Sequence, residues 1–172
     1  MPTADATVRR AVAEHLDLVW RVLRRSGLSP ADAEDAAQDV FWIFARRLDS
    51  VPDRARRAFL VSSALRVAAD RRRSKWHRVV ETGLESDEQV SVALGADERI
   101  DLQRAAQLLD RALSALDPQD RAIYIMAELE QLSRTEVAEA LAIPKGTVAS
   151  KLRRARDAFE LALRRLHRGA RP

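Results

Sequence analysis

Cysteine is absent from the 172 residues of this chain, and its absence excludes several kinds of chemistry. Without a thiol there is no disulfide, no thiolate zinc site, no cysteine nucleophile and no direct thiol switch. Aromatic residues are also scarce, at 5% of the composition, whereas Ala, Leu, Arg, Asp and Glu dominate. A composition rich in helix-forming residues and poor in residues that favour β-strands predicts an all-α fold.

Long hydrophobic runs are missing as well. No stretch is long enough to span a membrane, and the first residues lack the apolar segment of a signal peptide. The chain is nevertheless 47% apolar, which is enough for one compact domain or two small ones. We therefore expect a soluble, cytoplasmic, mostly helical protein.

Charge is distributed unevenly along the chain. Residues 1–78 hold 16 basic and 10 acidic side chains, residues 79–98 hold six acidic and no basic ones, and residues 99–172 hold 14 basic and 10 acidic ones. This order predicts two basic modules, 1–78 and 99–172, joined by a flexible acidic linker at 79–98. The two basic modules are suited to a polyanionic partner, although arginine side chains that merely face solvent would give the same excess of positive charge.

Helical periodicity predicts three helices in the first module. The first helix covers residues 7–25, with Val8, Val12, His15 or Leu16, Val19 and Leu23 on its apolar face, and stops at Gly27. The second begins with Ser29 as N-cap and reaches about Leu48, and the third begins near Arg54.

Four helices are predicted in the second module, over residues 99–115, 122–130, 133–142 and 143–166. Ser133 and Glu136 have the spacing of a capping box at the start of the third. The third and fourth helices, separated by AIPKG, form a helix-turn-helix pattern in which one stripe of each is committed to the core.

A polar flank of the fourth helix contains Thr147, Ser150, Lys151 and Arg154, off its apolar stripe. The flank lies toward the helix N-terminus, where the helix dipole and free N–H groups suit phosphate, and this is the end that a recognition helix inserts into the major groove. Periodicity alone leaves a second interpretation open, in which the two helices are a packed hairpin with a solvated arginine face.

The helix-turn-helix sequence narrows that choice. LSRTEVAEALAIPKGTVASKLRRARDAF resembles the second conserved DNA-binding segment of extracytoplasmic-function sigma factors, the small promoter-recognition subunits of bacterial RNA polymerase. SALDPQDRAIYIM, just upstream, is similar to the segment that precedes it in that family.

The first module resembles the same family. SPADAEDAAQDVFWIFARRLD is similar to the helix that binds core polymerase, whose signature is Ala-Glu-Asp-x-x-Gln-x-x-Phe. AFLVSSALRVAADRRR is similar to the promoter-melting segment. The resemblance spans nearly the whole chain except the linker and the extreme termini.

The resemblance implies three sets of contacts. Recognition of the minus-35 element is expected from Lys145, Thr147, Ser150, Lys151, Arg153 and Arg154. Recognition and melting of the minus-10 element are expected from Ser50, Arg54, Arg57, Phe59, Arg66, Arg71, Arg72, Arg73, Lys75 and Trp76. Binding to the clamp helices of the largest polymerase subunit is expected from Asp35, Gln38, Asp39 and Trp42, and the second module is expected to touch the flap of the second-largest subunit.

Several positions depart from the family pattern. Phe59 stands where Trp is usual, Ser63 replaces an apolar residue, and Arg66 stands where a DNA-contacting Asn is common. Ala149 replaces a residue that is often basic, which puts the preferred upstream sequence in doubt. Two other interpretations stay open: a stand-alone helix-turn-helix regulator that binds DNA as a dimer, and a sigma-like regulator without promoter activity.

Catalytic and metal sites are not expected. The three histidines are scattered, and no nucleophile, triad or cofactor loop is present. Asp32, Asp35 and Asp39 share one side of the second helix, but carboxylates near a helix start usually serve the helix dipole, and no His accompanies them. We expect no cofactor; an anti-sigma protein is a further possible partner, although no residue identifies one.

Overall fold

The computed structural model describes residues 4–82 and 98–169, and within these two stretches every regular element is helical. Residues 83–97, most of the predicted linker, lie outside the described residues, while 79–82 continue a helix of the first module. The elements are α1 (Ala4–Arg25), α2 (Pro30–Arg46), two 3-10 turns (Leu48–Ser50 and Asp53–Ala55), α3 (Arg56–Thr82), α4 (Glu98–Ser114), α5 (Pro118–Tyr124), a π-helical turn (Ile125–Leu129), α6 (Arg134–Leu141) and α7 (Lys145–Gly169).

Local chemistry sets the start of α2 as predicted. The Ser29 hydroxyl accepts a hydrogen bond from the Asp32 N–H at 3.1 Å, and Pro30 occupies the first helical position, where no N–H is needed. Gly27, with a φ of +90°, ends α1 in a conformation that favours glycine. The predicted end of α2 at Leu48 is wrong by two residues, because the chain tightens there into a 3-10 turn.

The core of the first module is formed by one side of each of its three helices. Phe44 is fully buried, and its ring centroid lies 6.1 Å from that of Phe59 on α3. Of the two alternatives predicted for the apolar face of α1, His15 is half-buried whereas Leu16 is 44% exposed. Because α1 packs against both α2 and α3, its buried side is a double row, formed by Ala11, Leu18, Val19, Val22 and Leu23.

The second helix of the second module differs from the prediction of a single helix over 122–130. Asp117 caps α5 by accepting from the Gln119 N–H, so the helix begins four residues earlier, at Pro118. It then widens into a π-helical turn in which the Glu130 N–H donates to the Ile125 carbonyl at 2.9 Å. The widening leaves the fully buried Met126 in the core and turns Glu130 inward.

The helix-turn-helix is confirmed. The Ser133 N–H donates to Glu136 Oε2 at 2.8 Å, and the Glu136 N–H donates back to Ser133 Oγ at 3.2 Å, which completes the capping box. A left-handed residue, Ala142, ends α6. Val148 and Leu152 on α7 are buried against α6.

The two modules pack against each other. Helix α6 and the π-helical turn contact α3, and buried residues of both modules belong to one contiguous apolar cluster. Gly27 lies beside Arg121 of the second module. The Arg121 Nη1 is 3.8 Å from the point where a Cβ would stand if Gly27 were replaced by a larger residue. None of the helices in the described stretches has the length and apolar character needed to cross a membrane.

Candidate nucleic-acid interface

The polar flank of α7 is assembled as predicted. Thr147, Ser150, Lys151 and Arg154 occupy the first three turns of the helix, beside a buried stripe that holds α7 against α6. Ser150 is exposed, and 62% of the Arg154 side chain is accessible. The flank therefore carries two hydroxyls and two cations near a positively polarised helix end.

A buried carboxylate orients the two cations, and it is one of the functional residues that sequence patterns do not reveal. Asp120 on α5 is only 3% exposed and accepts from Arg154 Nε at 2.6 Å and from Arg154 Nη2 at 2.8 Å. Lys151 Nζ lies 3.8 Å from the same carboxylate. These hydrogen bonds raise the pKa of Arg154 above its ordinary value. The guanidinium is thus fixed by a bidentate pair instead of moving freely in solvent.

The remaining bases of α7 divide into two groups. Lys145 and Arg153 are exposed, and no carboxylate among the described residues pairs with either. Arg156 lies on the opposite flank, where its Nη2 is 2.6 Å from Glu128 Oε1. A Cβ at Gly146 would meet no atom from other parts of the described chain within 4 Å.

Four of the ten predicted minus-10 residues line a groove in the first module. Ser50, Arg54, Phe59 and Arg66 surround a cavity of about 770 Å³ that opens beside the two 3-10 turns. The opposite wall is formed by α6 of the second module. Groove residues and a helix from the other module are therefore brought face to face, which the sequence does not predict.

Two departures from the family pattern lie next to each other in this groove. Ser63 is buried in the middle of α3, and Arg66 Nη2 donates to its hydroxyl at 3.4 Å. Phe59 is half-buried and packs on Phe44, so it supplies an aromatic wall in the position predicted for one. Ser63 thus gives Arg66 a fixed partner on its own helix.

The basic cluster of α3 is more strongly paired than the sequence suggests. Arg71 Nη2 lies 2.6 Å from Asp39 Oδ2 on α2, which joins a predicted DNA contact to a predicted polymerase contact. Arg72 Nη1 donates to the Ser26 carbonyl at 3.3 Å, and Arg73 Nη2 lies 3.4 Å from Asp70. The side chains of Lys75 and Trp76 lie outside the described residues.

The predicted polymerase surface lies on the exposed side of α2. Asp35, Gln38 and Trp42 all face solvent, and Trp42 is 66% exposed. The Arg46 guanidinium lies 5.1 Å from the Trp42 ring centroid, a cation–π distance. A second cavity, of about 330 Å³, separates Trp42 from α3. No group of three or more His, Asp or Glu side chains in the described ranges is close enough to hold a metal ion.

Glu130 is the second functional candidate that sequence patterns do not reveal. Its carboxylate is 2% exposed and faces three arginines of the first module. Arg121, which lies beside Gly27, is buried and donates from Nε to the Leu113 carbonyl at 2.6 Å. Burial lowers the pKa of Arg121 to about 10, so the guanidinium still carries its charge at neutral pH.

Comparison with known proteins decides between the interpretations left open. The profile of Sigma-70 region 2 matches residues 11–78, and that of Sigma-70, region 4 matches residues 106–159. The chain is 29% identical over 166 residues to the ECF RNA polymerase sigma factor SigL of Mycobacterium tuberculosis, covering 95% of this chain and 93% of SigL. It is 30% identical over 139 residues to the RNA polymerase sigma-E factor of Streptomyces avermitilis, covering 81% and 75%.

The chain belongs to the extracytoplasmic-function sigma factors of the sigma-70 family. It is accordingly an RNA polymerase-binding factor for transcription initiation, and the first module carries region 2 and the second region 4.

Solved structures of similar fold agree with this sigma factor's architecture. RpoE of Bartonella quintana, solved in complex with the anti-sigma factor NepR, is similar with a TM-score of 0.69 at 19% identity, over 91% of this chain and 96% of RpoE. CnrH, solved with the cytosolic domain of CnrY, gives 0.65 at 22% identity, over 91% and 86%. At these identities the likeness concerns the fold.

Proposed function

We propose that this sigma factor works in the cytoplasm, carries core polymerase to promoters and opens them, with the second module on the minus-35 element and the first on the minus-10 element and the polymerase clamp. The observation that carries the proposal is the presence of two solvent-facing surfaces on different modules. One is the polar flank of α7, and the other is the exposed side of α2 around Trp42.

Within the α7 flank the side chains divide the work. Ser150 and Lys145 are exposed and free of carboxylate partners in the described ranges, so they approach base edges and phosphate respectively. Two N–H groups of Arg154 already donate to Asp120. We therefore assign Arg154 to a phosphate contact and not to a bidentate contact with a base. Thr147 contributes to the same surface from the first turn, and Arg153 adds a phosphate contact one turn further along.

The groove of the first module suits unpaired minus-10 DNA. Phe59 provides a flat apolar wall for an extruded base, while Arg54 and Arg66 provide charge for the adjoining phosphates. Arg71 and Arg72 support this groove by tying α3 to α2 and to the turn that follows α1, respectively. Arg57 and Arg73 add positive charge from the same helix. Lys75 and Trp76 stay predicted DNA contacts, and their side chains lie outside the described residues.

Core polymerase is bound by α2. Trp42 is a large aromatic side chain held in the open by α2, the kind of residue that dominates the energy of protein interfaces. Gln38 lies about one turn and Asp35 about two turns before it, and both add polar contacts. Asp39 joins them while paired to Arg71. The flap of the second-largest subunit is the proposed contact of the second module.

An inhibitory protein is a proposed further partner. RpoE was solved with an anti-sigma factor, and the present chain shares its fold over 91% of its length.

The experiment that tests the proposed function is in vitro transcription on a library of genomic fragments with core polymerase, with and without the chain. We expect start sites that appear only when the chain is added. The Lys151→Ala, Arg154→Ala double variant should lose these starts, whereas Arg156→Ala, which removes a charge from the opposite flank of the same helix, should keep them. Absence of any chain-dependent start would reject the proposal.

A further inference from the structure

Glu130 is an acidic side chain of the second module buried against basic side chains of the first. Its Oε1 lies 2.6 Å from Arg25 Nη1, and its Oε2 lies 3.4 Å from Arg21 Nη2 and 3.7 Å from Arg57 Nη2. The carboxylate is 2% exposed, and its three partners come from two helices, α1 and α3. No other carboxylate of the described residues pairs with three cations.

We propose that Glu130 is a latch that holds the two modules closed, and that in the closed chain α6 covers the minus-10 groove and inhibits its binding to DNA. The role of that groove in binding minus-10 DNA rests on the proposed function. The latch itself rests on contacts within the chain.

The contents of the groove support inhibition. Glu136 and Glu139 of α6 line the same cavity as Arg54 and Arg66, so two acidic residues share the groove with the cations that phosphates would need. A strand of DNA entering the groove would meet like charge and a helix in its path. The wall also includes Ala140 and Ala142, small residues that bring the helix close without filling the cavity.

Arg57 makes the two states mutually exclusive. In the closed chain its guanidinium lies 3.7 Å from Glu130, and the next residue along the chain, Ala58, lines the groove. In the open chain we assign to Arg57 the DNA contact that the family resemblance implies. One guanidinium cannot neutralise a phosphate and a buried carboxylate in different places. Binding of DNA therefore competes directly with the latch.

A latch of this kind opens more readily because the cost of desolvating its charges opposes their attraction. Burial removes water from Glu130 and Arg25, and this desolvation offsets much of their attraction. The pKa of Arg25 is lowered chiefly by burial, against the opposing effect of Glu130, which is the sign expected of such a balance. Nearby, burial raises the pKa of Asp110, an acid of α4 that faces Arg24 and Arg25. Opening of the modules rehydrates all of these groups together.

The test uses the full-length chain with one label on each module. Because cysteine is absent, Ala31→Cys on α2 and Arg165→Cys on α7, both exposed, place two spin labels without competing sites. Distances are measured in the chain alone, without DNA or polymerase. Affinity for a random-sequence pool of single-stranded DNA is measured on the same samples.

Glu130→Gln keeps the shape of the side chain and removes its charge. We expect the distance distribution to lengthen and the affinity for the DNA pool to rise about tenfold, as expected when the competent state goes from a minor to a major population. Glu128→Gln is the matched control, since Glu128 pairs with Arg156 inside the second module, and it should behave as wild type. Arg25→Gln breaks the same pair from the other module and should reproduce the opening if Glu130→Gln fails to fold.

Unchanged distances in both folded variants would overturn the latch. Longer distances with unchanged DNA affinity would overturn the inhibition. Core-dependent transcription by the wild-type chain is scored separately, so failure of the proposed function is recognised independently of the distance measurement.

Discussion

Arg154 and Lys151 share one buried carboxylate, and this arrangement determines how the recognition helix is expected to use its charge. Asp120 lies in the first turn of α5, while its two partners lie more than 30 positions later on α7. A cation held in this way is ready to meet a phosphate with little further loss of side-chain entropy.

Loss of the two cations should show in the salt dependence of duplex binding. The Lys151→Ala, Arg154→Ala double variant is expected to reduce the slope of log affinity against log salt by about two, or about one per lost phosphate contact. Titration of a promoter duplex at several salt concentrations measures the slope. Arg156→Ala should leave it unchanged, and an equal slope for wild type and the double variant would contradict the placement of this flank.

Asp120 should affect specificity more than general affinity. Asp120→Asn removes the bidentate pair but keeps both cations, so the guanidinium is no longer fixed. We expect the ratio of affinities for a promoter duplex and its scrambled counterpart to fall several-fold, while binding to the scrambled duplex stays the same or rises. Asp157→Asn, an exposed change on α7, is the control. A preserved ratio would show that Asp120 is not a positioning residue.

At the scale of elements, two residues of α2 that are two positions apart are expected to have different roles: Phe44 stabilises the fold, and Trp42 binds polymerase. Phe44 is fully buried, so Phe44→Ala should lower the free energy of unfolding by about 3–5 kcal/mol in a denaturant titration. Trp42→Ala should leave the unfolding midpoint nearly unchanged and weaken binding to core polymerase at least about fivefold. If Trp42→Ala destabilised the fold and spared binding, α2 would not be the polymerase helix.

The capping box of α6 gives a second test at this scale. Ser133→Ala removes the hydroxyl that accepts from the Glu136 N–H and should cost about 1 kcal/mol of stability. Ser114→Ala is a suitable comparison, since the Ser114 hydroxyl only donates to a carbonyl of its own helix. A smaller loss for Ser133→Ala than for Ser114→Ala in thermal melts would contradict the assigned cap.

The elements that the sequence predicted well are those with local causes. Ser29 with Pro30 and Ser133 with Glu136 are start signals contained within four residues, and both helices begin where these signals place them. The π-helical turn after α5 was not predictable in this way. Its geometry accompanies the burial of Glu130 against arginines more than 70 positions away, and no periodic pattern in the chain marks such a contact.

At the scale of the whole molecule, two modules with separate tasks share one apolar cluster. The division of charge in the sequence predicts the modules, and the family resemblance predicts the members of each surface. Neither predicts how the modules meet, because the contacts of Glu130 and the wall of the groove join residues from opposite ends of the chain. In the three-dimensional arrangement the two modules are also coupled, because their closure competes with DNA binding by the first module.

The central claim is that α2 binds the polymerase while the flank of α7 binds upstream DNA. The most direct measurement places a photoreactive residue at Gln38 or at Ser150 in the full chain and maps the crosslinks in a complex with core polymerase and promoter DNA. We predict that position 38 reacts with the largest polymerase subunit and that position 150 reacts with DNA near the minus-35 element. Crosslinks from position 150 to protein alone, or from position 38 to DNA, would contradict the claim.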